Sequence, residues 1–138
     1  MRIAALRKTA ASSRRDELRQ ARAAAQALRI ACPHAASVNV ELAFQEFSGL
    51  SHAPQAFSVY PPAKAHFVYA CPFGDCDGVY DLNEVAHATL KSGQRKVRGT
   101  LTCTGHRSGR ASSNELCELA VNYSIVVRRD AHESRQQG

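Results

Sequence analysis

Hydrophobic and polar positions alternate with a period of two over much of the chain after residue 37. From Ser37 onward, apolar side chains occupy every second position. Side chains of a strand point alternately to opposite faces, so this pattern predicts a strand with one buried face. The same period recurs in "RKVRGTLTC" and "CELAVNYSIVV", and the stretches "AFSVY" and "KAHFVYAC" indicate two shorter strands. The buried positions of the first strand are Val38, Val40, Leu42 and Phe44.

A helical period precedes the strands, from Ser13 to about Arg29. Ser13 with Asp16 three residues later resembles a capping box, which would place the start of the helix there. Pro33 ends the helix, because a residue that precedes proline is disfavoured in the helical region. The apolar stripe at helical spacing consists of Leu18, Ala21, Ala25 and Leu28.

A second, shorter helix is predicted in "DLNEVAHATLKSG", between two of the strands. Asp81 or Asn83 can cap its first turn, and Gly93 can end it. The predicted fold class is therefore α+β: an N-terminal helix followed by a mostly antiparallel sheet, with one short inserted helix. We expect a disordered basic segment over 1–12, one domain over 13–128 and a polar tail over 129–138.

Composition narrows the class of protein. The chain has 138 residues and a net charge of +6, which suits a polyanionic partner. It contains no apolar run of about 20 residues, the length of a membrane span, and no secretory signal, so we expect a cytoplasmic protein. No nucleophile–base pair, phosphate loop or pair of carboxylates can be placed on convincing elements, and we expect no enzymatic activity.

Five cysteines add a candidate chemistry. In a reducing compartment clustered cysteines bind metal or react more often than they form a disulfide framework. Three of them, Cys71, Cys103 and Cys117, lie on the apolar face at the end of a predicted strand, while Cys76 shares the turn "CPFGDC" with Cys71. A hairpin that places Cys103 opposite Cys117, and Leu101 opposite Leu119, keeps every facing pair on the core side.

Four thiolates that converge from two loops are typical of a structural zinc site. "CPFGDCDG" resembles the first turn of a zinc ribbon, a family in which two cysteine-bearing turns clamp one zinc between β-hairpins. The resemblance covers residues 67–125 and implies one structural Zn²⁺ on Cys71, Cys76, Cys103 and Cys117. The second turn departs from the family, because a long loop separates Cys103 from Cys117.

The fourth ligand has an alternative. His106 follows Cys103 by three residues in "CTGH", a spacing that can also close a site, although strand parity and the preference for four sulfur ligands favour Cys117. Cys32 has no partner in this scheme. The same turn imitates a calcium-binding loop with Asp75 and Asp77, but Phe73 occupies the first ligand position, which excludes calcium.

Basic residues flank the cysteines. They define a candidate surface for nucleic acid or a ribonucleoprotein, with a solvated face as the plain alternative. A second hypothesis is a protein-interaction adaptor in which zinc fixes the sheet and the N-terminal helix docks a partner. A third is a redox switch that uses Cys71 and Cys76. The candidate contact residues are Lys91, Arg95, Lys96, Arg98, Arg107 and Arg110.

Overall fold

The computed structural model describes residues 10–107 and 115–129. Two helices come first there, and a third is inserted among the strands of a mostly antiparallel sheet, which confirms the predicted α+β fold class. Among the described residues, every helix is too short or too polar to span a lipid bilayer. In chain order the elements are α1 (Ala10–Ala24), α2 (Leu28–Ala31), β1 (Ala35–Gln45), β2 (Gln55–Val59), β3 (Val68–Ala70), β4 (Val79–Asp81), α3 (Asn83–Ser92), β5 (Lys96–Thr102), β6 (His106–Arg107), β7 (Glu115–Leu116) and β8 (Ala120–Arg129).

The main sheet has four antiparallel strands in the order β2-β1-β8-β5. The alternation predicted for β1 is confirmed: Val38, Val40 and Leu42 are fully buried, and Phe44 is 2% exposed. β1 and β8 are the two central strands, and the inner face that they share forms one side of the hydrophobic core. The outer face of β1 is exposed at Glu41 and Ala43, so the sheet buries one side only.

The pairing of β5 with β8 differs from the predicted register by two residues. Leu101 pairs with Val121 rather than with Leu119, and Gly99 pairs with Tyr123. The predicted faces are correct, because a shift of two residues returns each side chain to the same side. A side chain at Gly99 would collide with the Tyr123 ring, so this glycine lets the ring cross β5.

The ladder between β5 and β8 continues toward the loop at the same offset. Cys103 donates its backbone N–H to the Leu119 carbonyl at 2.9 Å, and Cys117 donates its own to the Gly105 carbonyl at 3.0 Å. β6 and β7 then pair through His106 and Leu116. The two cysteines therefore lie two positions apart along one long hairpin, and they do not face each other as predicted.

The N-terminal helical region differs from the predicted single helix. α1 begins at Ala10, three residues before Ser13, and ends at Ala24. Ser13 thus lies within the helix, and the capping-box prediction is wrong; Asp16 instead pairs with Arg19. The helix does not continue beyond α1, because the backbone of the following residues forms hydrogen bonds outside the helix. Leu28, for example, donates its N–H to the Ala63 carbonyl at 2.8 Å.

A second layer covers the inner face of the sheet. α3 packs against β8, and the short β3–β4 ribbon brings Tyr80 into the core. The Asp81 carboxylate accepts the Asn83 N–H at 2.9 Å at the start of α3, and Gly93, with φ of +80°, ends the helix as predicted. The loop between β3 and β4 projects toward the end of the β5–β8 hairpin, where the cysteines meet.

Candidate metal centre

Four cysteine sulfur atoms form one compact group, with every Sγ within 4.8 Å of the others. Cys71 and Cys117 have their sulfurs 3.7 Å apart, and those of Cys76 and Cys103 are 3.5 Å apart. A tetrahedral site with metal–sulfur bonds of about 2.3 Å has sulfur–sulfur edges of about 3.8 Å. The sulfur positions therefore fit four ligands around one tetrahedral metal ion.

The first ligand pair comes from the loop that joins β3 to β4. Cys71 follows β3 directly, and its N–H donates to the Gly78 carbonyl at 3.1 Å, which closes the loop just before β4. Within the loop, Cys76 donates its N–H to the Phe73 carbonyl at 3.1 Å. These two turns bring Cys71 and Cys76, five positions apart in sequence, onto the same site.

The second pair comes from the point where the long hairpin is interrupted. Cys103 follows the end of β5, and Cys117 follows the end of β7. The strand does not resume until Ala120, because Glu118 adopts a left-handed backbone conformation with φ of 55°. A non-glycine residue in this region is uncommon. The kink at Glu118 turns Cys117 toward the site while Leu119 returns to the core, where it is 1% exposed.

Backbone amides surround the sulfurs. Gly78 donates its N–H to the Cys76 sulfur at 3.3 Å, and Gly105 donates its N–H to the Cys103 sulfur at 3.4 Å. In both cases the donor lies two residues after the cysteine. The amides of Phe73 and Leu119 stand in the same relation to Cys71 and Cys117 and favour their ionised forms. Hydrogen bonds to a thiolate lower its pKa, so this arrangement is suited to anionic sulfur.

The four thiols do not ionise alike. Hydrogen bonding from Cys71 lowers the pKa of Cys103 to about 5, while burial raises the pKa of Cys76 to about 12. The hydrogen bond to Cys103, followed by burial, also raises the pKa of Cys71, and burial raises that of Cys117. Taken as protein groups alone, the cluster holds one favoured thiolate. A bound cation is what allows four thiolates to share so small a volume.

Two glycines let the two ligand loops touch. A Cβ atom on Gly78 would collide with the Cys103 sulfur and would lie 3.0 Å from the Gly105 nitrogen. A Cβ atom on Gly105 would collide with the Gly78 backbone and would lie 2.8 Å from Asp77 Oδ1. Only glycine permits so close an approach of two backbones.

Polar contacts fasten the loops outside the cluster. Asp77 accepts the His106 N–H at 2.7 Å, and Asp75 pairs with Arg107 at 3.1 Å. The Arg107 guanidinium also lies over the Phe73 ring, 3.9 Å from its centroid. Both aspartates that imitate a calcium loop therefore join the first loop to the β6 segment. Arg15 of α1 adds a third attachment by donating to the Gly74 carbonyl at 2.6 Å.

Of the two alternatives for the fourth ligand, the cluster contains Cys117 and not His106. His106 is exposed on β6, where its backbone bonds Asp77 and Leu116. Cys32 is the C-terminal cap residue of α2 and lies outside the cluster. Cys71 and Cys76, the suggested redox pair, are both in the cluster, but the short sulfur contacts join Cys71 to Cys117 and Cys76 to Cys103.

The candidate nucleic-acid residues occupy different environments. Lys96 and Arg98 are exposed on the outer face of β5, opposite the face that carries the cysteines. Lys91 and Arg95 are exposed at the end of α3 and in the following turn. Arg107 is 17% exposed and paired with Asp75. Arg110 lies outside the described residues.

Comparison of the chain with protein-family models, curated protein sequences and solved structures finds no match. What defines the site is therefore its own geometry: a cluster of four cysteines in position to hold a metal ion. The two glycines two residues after Cys76 and Cys103 share a C-x-G spacing that is visible in the sequence. The contact of Arg15 with the first ligand loop is not visible in the sequence, because Arg15 lies 59 positions before Gly74.

Proposed function

We propose that the four cysteines bind one zinc ion with a structural role, in a ribbon-like arrangement of two cysteine-bearing hairpins, and that the protein is not an enzyme. The single observation that carries this proposal is the close, mutual approach of four buried or half-buried sulfur atoms from two separate loops. A site with four protein ligands has no open position for a substrate or an activated water, which favours structure over catalysis.

The donor set supports zinc over other divalent ions. Soft thiolates select zinc, copper(I) or iron–sulfur chemistry, whereas calcium, magnesium and manganese prefer oxygen ligands. The two carboxylates of the first ligand loop, Asp75 and Asp77, are engaged with Arg107 and His106 and do not belong to the cluster. Sulfur edges of 3.5 and 3.7 Å match a single tetrahedral ion.

Metal analysis of the full chain, purified without chelator, tests this proposal. The expected result is one zinc per chain and none in a variant with Cys71→Ser and Cys103→Ser together. A result of one iron and no zinc per chain would show that the four thiolates bind iron, and would contradict the assignment of zinc. Folded protein that contains no metal and takes up none from solution would overturn the proposal.

A second function, nucleic-acid binding, is supported by the outer face of the main sheet. A shallow cavity of about 620 Å³ lies on this face. Two exposed cations, Lys96 and Arg98, line it together with one acidic residue, Glu41. The remaining polar lining residues can donate to or accept from phosphates and sugars; they are Thr100, Asn122 and Ser124.

The charge of this face is not neutralised by ion pairs among the described residues. Neither Lys96 nor Arg98 forms a salt bridge there, in contrast to Arg107. Lys91, in the last turn of α3, and Arg95, in the turn before β5, lie nearby in sequence and extend the proposed contact surface. The contacts would be to the backbone of the nucleic acid, because the one aromatic lining residue, Tyr123, is half-buried with its ring against Gly99 and is not free for base stacking.

The test replaces Arg95, Lys96 and Arg98 by Gln and measures binding to RNA and DNA at several salt concentrations. Affinity of the parent should fall steeply with salt, and the variant should bind all sequences more weakly, since phosphate contacts release counterions without reading bases. A triple variant of equal charge change, Arg14→Gln with Arg29→Gln and Lys64→Gln, is the matched control, because these exposed residues do not line the cavity. A parent that binds no nucleic acid at low salt would leave the interaction adaptor as the second function.

A further inference from the structure

A second cavity, of about 330 Å³, separates α1 from strands β2 and β3. We name it the arginine groove. Three arginines of α1 line one wall at positions i, i+4 and i+7, a spacing that places them on one helix face. The opposite wall carries the aromatic rings of Phe57 and Tyr69. The arginines are Arg15, Arg19 and Arg22.

Two of these arginines carry charges that the described residues do not neutralise. Arg15 donates to the Gly74 carbonyl at 2.6 Å and Arg22 donates to the Val68 carbonyl at 3.0 Å, so both bond neutral acceptors. Neither has an ion pair within the described residues, whereas Arg19 pairs with Asp16. A guanidinium has five N–H donors, and one carbonyl leaves most of them free.

The aromatic wall of the arginine groove consists of two stacked rings, one of them partly exposed. Phe57 and Tyr69 are stacked, with ring centroids 4.5 Å apart and planes inclined by 24°. Phe57 is 36% exposed on the edge strand β2, so part of its ring remains open to a ligand. The Tyr69 hydroxyl is buried, and no hydrogen-bond partner for it exists among the described residues. Such a group is costly to bury, and a water molecule, an ion or a ligand can satisfy it.

We propose that the arginine groove binds the phosphate monoester of a small aromatic compound, with a nucleoside monophosphate as the simplest example. Two unpaired guanidinium groups match the charge of a phosphate monoester, about −1.5 to −2 at pH 7. Planar guanidinium groups also bind phosphate in a bidentate manner. The open part of the Phe57 ring packs against the base. A cavity of about 330 Å³ holds a ligand of this size.

The groove is separate from the outer sheet face, and this inference does not depend on nucleic-acid binding by that face. It does lie against the metal centre, because Cys71 and Pro72 line it and Arg15 bonds Gly74 in the same loop. A bound phosphate would hold α1 against the first ligand loop from outside.

Calorimetric titration of the metal-loaded full chain with AMP, inorganic phosphate and adenosine tests the proposal. AMP should bind more tightly than phosphate, and adenosine should bind weakly or not at all. The double variant Arg15→Gln with Arg22→Gln should bind both AMP and phosphate about tenfold more weakly or worse, since charged hydrogen bonds to the phosphate are lost. Phe57→Ala should lower the affinity for AMP and leave the affinity for inorganic phosphate unchanged.

A double variant of equal charge change, Arg29→Gln with Arg95→Gln, lies outside the groove and is the matched control. Because Arg15 and Arg22 also dock α1, a second double variant, Arg15→Lys with Arg22→Lys, keeps both charges and a donor for each carbonyl. It should retain the helix and bind AMP with intermediate affinity. Parental affinity in this lysine variant, equal weakening in the control, equal binding of adenosine, or no binding of millimolar AMP at low salt would each overturn the proposal.

A 5′-phosphorylated oligonucleotide titrated beside AMP separates two sources of the same chemical group. If AMP binds and the oligonucleotide does not, the ligand is a free nucleotide. If the oligonucleotide binds and Phe57→Ala weakens it as it weakens AMP, the groove accepts a strand end. The proposal would be overturned if AMP does not bind and the oligonucleotide binds equally well to the parent and to every groove variant. The oligonucleotide would then bind at another surface.

Discussion

At the scale of single residues, the metal centre depends on glycines as well as on cysteines. The predicted faces of Cys71, Cys103 and Cys117 followed from strand parity, whereas the N–H donation from Gly78 and Gly105 to sulfur emerged from the structure. The contact between Gly78 and Gly105 could not be predicted, because it depends on how two loops 27 positions apart approach each other in space. Parity states which face a residue occupies and says nothing of the distance to another strand.

Gly78→Ala should destabilise the protein and weaken its metal binding. The added Cβ would collide with the Cys103 sulfur and press on the Gly105 backbone, which cannot move without moving a ligand. Overpacking of this kind costs about 1–3 kcal/mol. Urea unfolding and a chelator competition measure the two effects.

Gly74→Ala in the same loop is the control for the Gly78 variant. The nearest atom to a Cβ at Gly74 is the Arg15 Nη2 at 3.9 Å, an ordinary contact. This variant should stay within about 0.5 kcal/mol of the parent. Equal behaviour of the two alanine variants would show that the close approach at Gly78 does not matter.

The ligand assignment makes a ranking that mutagenesis can check. Cys117→Ser should lose zinc as severely as Cys71→Ser, because both sulfurs belong to the cluster. His106→Ala should keep the metal, since only the His106 backbone bonds the site. Zinc content and chelator resistance of the three purified variants give the ranking. Retention of zinc by Cys117→Ser together with loss by His106→Ala would support a site of three cysteines and one histidine.

At the scale of elements, periodicity predicted what each segment is and which side it buries, but not where it pairs. The strand β1 and the stop of α3 at Gly93 agree with the pattern. The observed register of β5 with β8 differs from the predicted one by two residues and places Tyr123 across Gly99, a packing arrangement that strand parity leaves open. The predicted single helix divided after Ala24 because backbone bonds to residues near 63 replaced the helical ones. Local preference yields to such tertiary contacts.

The end of α3 offers a test of an element boundary. Gly93 has φ of +80°, and a Cβ there would meet no atom within 4 Å, so a substitution changes backbone strain and little else. Gly93→Ala should lower the free energy of unfolding by about 1 kcal/mol, whereas Gly93→Asn should cost less, because asparagine tolerates the left-handed region. Thermal or urea unfolding of the two variants measures the difference. An alanine variant as stable as the parent would contradict this account of the helix end.

At the scale of the whole molecule, the proposed zinc adds to the polar contacts and the core packing that hold two short ribbons against the main sheet. β3 and β4 pair over three residues each, and β6 and β7 over two. Ribbons this short are not stable alone. The main sheet cannot separate from them, because β8 is both the central partner of β1 and the continuation of the hairpin that carries Cys117. The metal centre and the core of the sheet therefore form one cooperative unit.

Removal of the metal should for this reason unfold residues 67–125. It should also reduce the protection of the β1 amides against hydrogen exchange, although no metal ligand lies on that strand. The binding free energy of a structural zinc contributes to folding, and loss of the ordered hairpin leaves β1 with β2 as its sole described strand partner. Hydrogen exchange, circular dichroism and thermal unfolding of the chelated protein should show one transition at lower temperature, reversed by added zinc. A chelated protein with an unchanged melting temperature and full amide protection in β1 and β8 would refute the structural role of the metal.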